Sequence, residues 1–260
     1  MDNFEYLIYK KHQGTAYVQM NRPEVFNALN KELLTELSLA FDIAQKDEEI
    51  KSIVLSGEGK AFCSGQDLKA VVNTSGTPSE ILGAFYNPLI KKIRSVAKPV
   101  IARVHGVAAG AGLSLAIACD MVIASEKASF SAAFVRVGLV PDSGASWFLT
   151  QLTGRYKAFE LCATGRQINA REALQLGLVN QVVAEGELDS VIKSVTDYFN
   201  AAPSKAVALI KEMINKSETA NLDEMLDLEA RYQDIAAATS DFQEGLKAFA
   251  EKRNPLFSGK

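Results

Sequence analysis

Short apolar runs of strand character recur along most of this chain, and helix-forming stretches separate them. SIVLSG (52–57), PVIARV (99–104), DMVIAS (120–125) and VNQVVA (179–184) are each nearly continuous in apolar residues and bounded by Gly, Pro, Asp or Asn. Strands apolar on both faces need cover on both faces, so this spacing predicts a parallel, helix-covered α/β core. EYLIYK and TAYVQM (5–10 and 15–20) read as two further strands, joined by a hairpin turn at KHQG. Residues 33, 34, 37, 39, 40, 41 and 44 recur at helical period, with Asn30 placed to cap that helix. AGLSLAIAC (111–119) and RYKAFELCATG (155–165) read as helices as well. Beyond about residue 185 the strands stop, and four amphipathic stretches follow: ELDSVIKSVTDYFNAA, PSKAVALIKEMINKS, LDEMLDLEARYQDIAAA and SDFQEGLKAFAEKR. The expected division is a core over 1–190 and a helical region over 191–260.

Charge and composition remove several functions. A net charge of −3 lacks the basic field that nucleic-acid binding requires. The three cysteines, Cys63, Cys119 and Cys162, are far apart and form no CxxC pair, and there are only two histidines, so neither a disulfide framework nor a metal site is expected. The N-terminus lacks a secretory pattern, and no apolar run reaches the 18 residues of a membrane span. The expectation is a soluble cytoplasmic protein without nucleic-acid or membrane partners.

Two glycine-rich segments carry the first chemical signal. GKAFCSGQDL (59–68) follows the strand 52–57, and VHGVAAGAGLSLAIACD (104–120) runs from the strand 99–104 into a helix. Neither is a dinucleotide-binding GxGxxG or a P-loop. Small residues from Gly106 to Gly112 let a ligand approach the backbone, and the helix start that follows offers free N–H groups to an oxyanion. Close packing of a strand–helix turn accounts for the same glycines. GLVPDSGASW (138–147) carries the second signal, an acid in apolar company. Asp142 can cap the helix that follows or move a proton in a dry pocket. Phe134, Leu139, Val140 and Trp147 would bury it and make it a stronger base. The polar stretch 71–86 reads as a loop over a site or as an ordinary surface connection.

NRPEVFNALN (21–30), GKAFCSGQDL, KPVIARVHGVAAGAGLSLAIACD (98–120), FVRVGLVPDSGASWFLTQLTGR (134–155) and LCATGRQINAREALQLGLVNQVV (161–183) together resemble the crotonase (enoyl-CoA hydratase/isomerase) superfamily. EGLKAFAEKRNPLF (244–257) continues the likeness to the C-terminus. The nearest branch is that of isomerases acting on ring-epoxide CoA esters in phenylacetate breakdown. The resemblance implies a spiral of ββα units with a helical C-terminal region, trimers that can pair into hexamers, and an acyl-CoA thioester as ligand. Coenzyme A belongs to that substrate, and no separate cofactor is implied.

By the same resemblance, the backbone N–H groups of Gln66 and Ala111 form an oxyanion hole. The two glutamates of family hydratases fall at Ser114 and Phe134, so both are missing. Asp142 matches an aspartate that certain isomerases of the family carry in place of a glycine. Arg22, Val25, Ala28, Ser64, Gly65, Asp67, Leu68, Gly110 and Phe134 fall on CoA- or substrate-binding positions. Phe249 and Lys252 do so too, often reaching a neighbouring subunit's nucleotide, whereas Glu24 stands where many relatives have lysine. His105, Cys63 and Cys119 read as structural residues. The leading expectation is an acyl-CoA isomerase, by double-bond shift or epoxide rearrangement. The alternatives are an enoyl-CoA hydratase with Asp142 activating water, an aryl-CoA dehalogenase with Asp142 as nucleophile, and a non-catalytic acyl-CoA-binding protein.

Overall fold

The computed structural model describes residues 4–69 and 76–259. Its first strands, β1 (Leu7–His12) and β2 (Thr15–Met20), form a hairpin with Leu7 opposite Met20 and His12 opposite Thr15. The turn is only Gln13 and Gly14, both at positive φ (46° and 79°), the two-residue geometry that matches strand twist. Lys11 and His12, read from sequence as part of the turn, therefore extend the ladder.

β2 continues into a parallel sheet through β3 (Ser52–Gly57), β5 (Val100–Val104), β7 (Met121–Ser125) and β10 (Gln181–Val183), in the order β1-β2-β3-β5-β7-β10. A second sheet runs β4 (Ala61–Cys63), β6 (Val107–Ala109), β8 (Ser129–Ser131) and β9 (Gln167–Asn169). Each pair β3–β4, β5–β6 and β7–β8 gives its first strand to the large sheet and its second to the small one. A helical stretch follows each pair, which is the expected ββα step.

Every residue of β3 is buried, because both faces of the sheet are covered. Ile53 and Leu55 join the main core with Leu33, Leu37 and Phe41 of helix α1 (Lys31–Lys46). Val54 points the other way, into a second cluster with Ile101, Ile123, Leu188 and Ile192. That alternation is the two-residue period of a strand. Asn30 caps α1, its side-chain oxygen accepting from Leu33 N at 2.9 Å.

The stretch 71–86 divides. Residues 71–75 lie outside the described residues, and the rest is helical rather than a loop. Thr77 and Glu80 form a reciprocal capping box with Pro78 in the first turn, opening α2 (Pro78–Ile81). A wider turn over Leu82–Tyr86 leads into α3 (Asn87–Ser95). α4 (Ala111–Ala118) is buried throughout. α5 (Ala145–Thr164) breaks at Gly154 (φ 74°, ψ 163°), so the helix expected at 155–165 is its second half. After α6 (Ala170–Gln175) come the four expected C-terminal helices, α7 (Leu188–Ala201), α8 (Ser204–Ser217), α9 (Leu222–Ala237) and α10 (Ser240–Glu251). α7 spans the expected boundary at 190, and its residues Leu188 and Ile192 pack on the sheet. Among the described residues no helix is long and apolar enough to cross a membrane.

Candidate active site

The segment 21–30 builds one wall of the site by local hydrogen bonding. Pro23–Val25 make one turn of 3₁₀ helix, and Phe26 and Asn27 reverse the chain at positive φ. Asn27 is fully buried; its amide donates to Glu58 O (2.9 Å) and Ala61 O (2.8 Å) and accepts from Arg22 N (2.9 Å). Leu29 then bridges Gln66 in parallel: Leu29 N donates to Gly65 O (2.7 Å), and Asp67 N donates to Leu29 O (2.9 Å). In such a bridge the intervening residue's N–H faces away from the partner strand. Accordingly Gln66 N is taken by no carbonyl among the described residues.

Gly110 starts the opposite wall. Its N–H donates to Ser131 O at 2.9 Å, leaving Ala111 N as the first N–H of α4, without an acceptor among the described residues. The walls touch: a Cβ on Gly65, which sits at φ 99°, would lie 2.8 Å from Ala109 O and 3.4 Å from Ala111 N. Gly112 is needed for a different reason. A Cβ there would meet Cys63 O at 2.2 Å, so glycine lets α4 lie directly on β4. The packing reading of this glycine run therefore applies at Gly112.

Between the walls is a cavity of about 170 Å³, lined by Ser64, Gly65, Gln66, Leu68, Gly110 and Ala111 and closed by Phe134, Leu139 and Asp142. Asp142 is the only carboxylate among its described lining residues. It does not cap α5. The N-cap is Gly144, without a side-chain hydrogen bond, and Ser143 and Gly144 both adopt positive φ. Instead Asp142 Oδ1 accepts from Ser143 Oγ at 2.8 Å, and Ser114 Oγ donates to the Asp142 backbone carbonyl at 3.2 Å. Burial pushes the Asp142 carboxyl above its ordinary range, and the Ser143 hydrogen bond partly opposes this.

The apolar company is narrower than the sequence suggests. Phe134 is buried and Leu139 half exposed, but Val140 is 78% exposed and Trp147 lines another cavity. The reason is the tight turn at Ser143–Gly144, which carries Trp147 away from the acid. That other cavity is larger, about 890 Å³, between α3, the start of α5 and α8. Its buried charges are paired, Lys211 with Asp120 at 2.7 Å and Arg94 with Glu218 at 3.2 Å, and Lys91, Lys205 and Glu212 also line it.

Other expected residues fall in varied places. Arg22, which falls on a CoA- or substrate-binding position by resemblance, turns inward: its guanidinium donates to Asp67 Oδ2 at 3.0 Å and to Ala28 O, and lies 5.6 Å from the Tyr6 ring. Its side chain is only 12% exposed, so it clamps two loops rather than presenting a charge outward. Val25 and Ala28 belong to the segment beside the cavity and do not line it; Val25 O accepts from Ser64 Oγ at 3.3 Å. Phe249 is 86% exposed, and Lys252 ends α10; neither lines the cavity of its own chain.

Cys63 is fully buried and its thiol is pushed up to about 12, while burial pushes Cys119 up as well. His105 pairs one ring nitrogen with Gly59 O at 2.9 Å, and burial holds its pKa below the ordinary value. Cys63 and Cys119 are buried as expected, whereas His105 is only partly buried and its Nδ1 has no hydrogen-bond partner among the described residues. Sequence reasoning missed Ser143 as a partner of the acid and Asn27 as the hub of the first wall. Asn-Ala-Leu-Asn gives no periodic or charge signal for a hub, and Ser143 read only as part of a helix cap.

The enoyl-CoA hydratase/isomerase family model matches residues 10–260. The chain belongs to that family. Within it, the chain is 39% identical over 261 residues to a 1,2-epoxyphenylacetyl-CoA isomerase of Escherichia coli (strain K12), covering 98% of this chain and 99% of that protein. It is 38% identical over 252 residues to a probable enoyl-CoA hydratase of Rhodobacter capsulatus, covering 97% of each. A solved enoyl-CoA hydratase subunit I from Geobacillus kaustophilus HTA426 superposes with a TM-score of 0.93 at 32% identity, covering 99% of both chains. The family member described here therefore has the crotonase fold and is an enzyme of the hydratase/isomerase group.

Proposed function

We propose that this enzyme is an acyl-CoA isomerase using one carboxylate, Asp142. The observation that carries the reading is that, among the described residues, a single acid lines a cavity also lined by Gln66 and Ala111, whose N–H groups meet no backbone acceptor there. Ser114 and Phe134 stand where the resemblance places the two glutamates of family hydratases, and Phe134 is apolar and buried.

In this reading Asp142 takes a proton from a carbon of the acyl group. The C–H electron pair moves into the thioester as an enolate, and the Gln66 and Ala111 N–H groups donate to the enolate oxygen. Asp142 then returns the proton to a different carbon while the electrons flow back, so a double bond shifts and no water is added. A ring epoxide conjugated to CoA would rearrange with the same parts. Two such donors stabilise charge that forms only in the transition state, and each is worth roughly 10²–10³ in rate. The positioned acid adds roughly 10²–10⁴. No cofactor beyond the substrate's own CoA enters these steps.

We also propose assembly as trimers or hexamers in the cytoplasm, with 191–260 as the contact region and Phe249 and Lys252 reaching a neighbour's CoA. Exposed Leu246, Phe249 and Leu256 support that part. The test of the chemistry pairs wild type with Asp142→Asn on 3-enoyl- and 2-enoyl-CoA in D₂O, followed by mass spectrometry. Shifted double bonds carrying deuterium, absent in the variant, are the expected result. Hydration of 2-enoyl-CoA without isomerisation would replace this reading with a hydratase, and tight binding without turnover would replace it with a binding protein.

A further inference from the structure

The two carboxylate oxygens of Asp142 are not equivalent. Oδ1 accepts from Ser143 Oγ at 2.8 Å, whereas Oδ2 carries no hydrogen bond among the described residues on a side chain that lines the cavity. Ser143 is only 4% exposed and is held at φ 52°, a left-handed conformation that disfavours any residue with a Cβ. Glycine follows it, at φ 81°, so the turn itself asks for small, permissive residues. A serine kept under that strain, with its hydroxyl on a carboxylate, points to a need for the hydroxyl. From the other side Ser114, fully buried in α4, donates to the Asp142 carbonyl at 3.2 Å. Two serine hydroxyls from different elements thus hold the acid at its backbone and at one carboxylate oxygen.

We infer that Ser143 is a positioning residue whose hydroxyl fixes the Asp142 side chain so that Oδ2 is the atom that takes and returns the substrate proton. The inference rests on the isomerase reading given above. Ser143 keeps its own proton throughout. Oδ2 gains the proton of the breaking C–H bond, whose electrons enter the enolate, and gives that proton back to the carbon that re-forms a C–H bond. The hydrogen bond also favours the charged carboxylate and so works against its burial. Removing the hydroxyl frees the carboxylate to rotate and withdraws that support.

Ser143→Ala and Ser143→Gly, measured beside Asp142→Asn, test the role. Both serine variants are expected to lower kcat about ten- to hundredfold, as small misplacements of a catalytic group do, and to leave KM near wild type. The acidic limb of their kcat–pH profile should move to higher pH. Glycine relieves the left-handed strain that alanine retains, so the glycine variant should be the more stable of the two. Equal catalytic defects at unequal stabilities are what positioning requires. A defect confined to the less stable variant, or an unmoved acidic limb, would overturn the inference. If Asp142→Asn still turns over with deuterium uptake, the reading of Asp142 as the acid of the isomerase fails first. If it is inactive while both serine variants match wild type, only the role of Ser143 falls.

Discussion

Arg22 and Asp67, 45 residues apart, meet at 3.0 Å through Arg22 Nη2 and Asp67 Oδ2, and their side chains are only 12% and 13% exposed. The same guanidinium also donates to Ala28 O. This fork ties the segment 21–30 to the loop that carries Gln66, one of the two proposed N–H donors. Removing one partner of a buried pair costs about 3 kcal/mol. Arg22→Ala is therefore expected to lose about that much in urea unfolding, and Arg22→Lys to recover only part, since an ammonium cannot reproduce the fork. A rise in KM for acyl-CoA with unchanged stability would instead mark Arg22 as a phosphate ligand.

Gly65 stands where the two walls of the site touch. Alanine there places a Cβ 2.8 Å from Ala109 O at a φ of 99°. The walls must part, and in the proposed isomerase Gln66 N and Ala111 N would then no longer converge on one oxygen. Gly65→Ala is expected to lower kcat by roughly 10²–10³, the loss of one oxyanion donor. The check is steady-state kinetics beside the circular dichroism of the folded variant.

Asp142 is predicted to destabilise the protein that uses it. Burial raises its folded-state pKa above the unfolded value, so the folded state favours the protonated form. Its favourable contribution is present below the unfolded carboxylate pKa and is lost as pH rises through the raised folded value. Asp142→Asn should thus raise Tm at neutral pH while abolishing turnover, and the gain should vanish at acidic pH. Thermal melts of both proteins across pH 3 to 8 would show whether the gain has that sign.

Lys211 anchors the C-terminal helices. Its ammonium, on α8, pairs with Asp120 at 2.7 Å and donates to Ile93 O (2.9 Å) and Lys98 O (3.1 Å). Lys211→Ala leaves Asp120 buried without its cation and is expected to destabilise by about 3–5 kcal/mol. Hydrogen exchange should then rise first in α8. Uniform exchange across the chain would show that α8 and the core unfold together.

The thiols of Cys63 and Cys119 are both buried, and burial raises both pKa values, that of Cys63 to about 12. Iodoacetamide at neutral pH should leave these two unmodified in the folded protein and label them on unfolding. Peptide mapping would reveal fast labelling of either one, which would contradict their structural role.

The sequence by itself determined the strands of the large sheet, α1 and the four C-terminal helices in their order, but not the four short strands of the second sheet or the helices α3 and α6. β2 and β3 fall on their expected residues, Asn30 caps α1, and four helices follow the last strand. These features depend on period, caps and turn residues within a few positions of one another, and so can be read locally. The capping box at Thr77 and Glu80 was present in Thr-Pro-Ser-Glu too, but the polar composition around it read as loop. The glycine-rich segments and the acid at 142, far apart in sequence, line one cavity. Only the tertiary structure decided what the polar side chains do there. Asp142 is a pocket acid rather than a helix cap because Ser143 and Gly144 turn the chain before α5 begins. Arg22 is a clamp rather than an outward charge because Asp67 arrives beside it from another strand connection. Trp147 leaves the acid's surroundings for the same turn that frees Asp142. Hydrogen bonds and burial between residues far apart in sequence set each of these, and neither leaves a periodic trace along the chain.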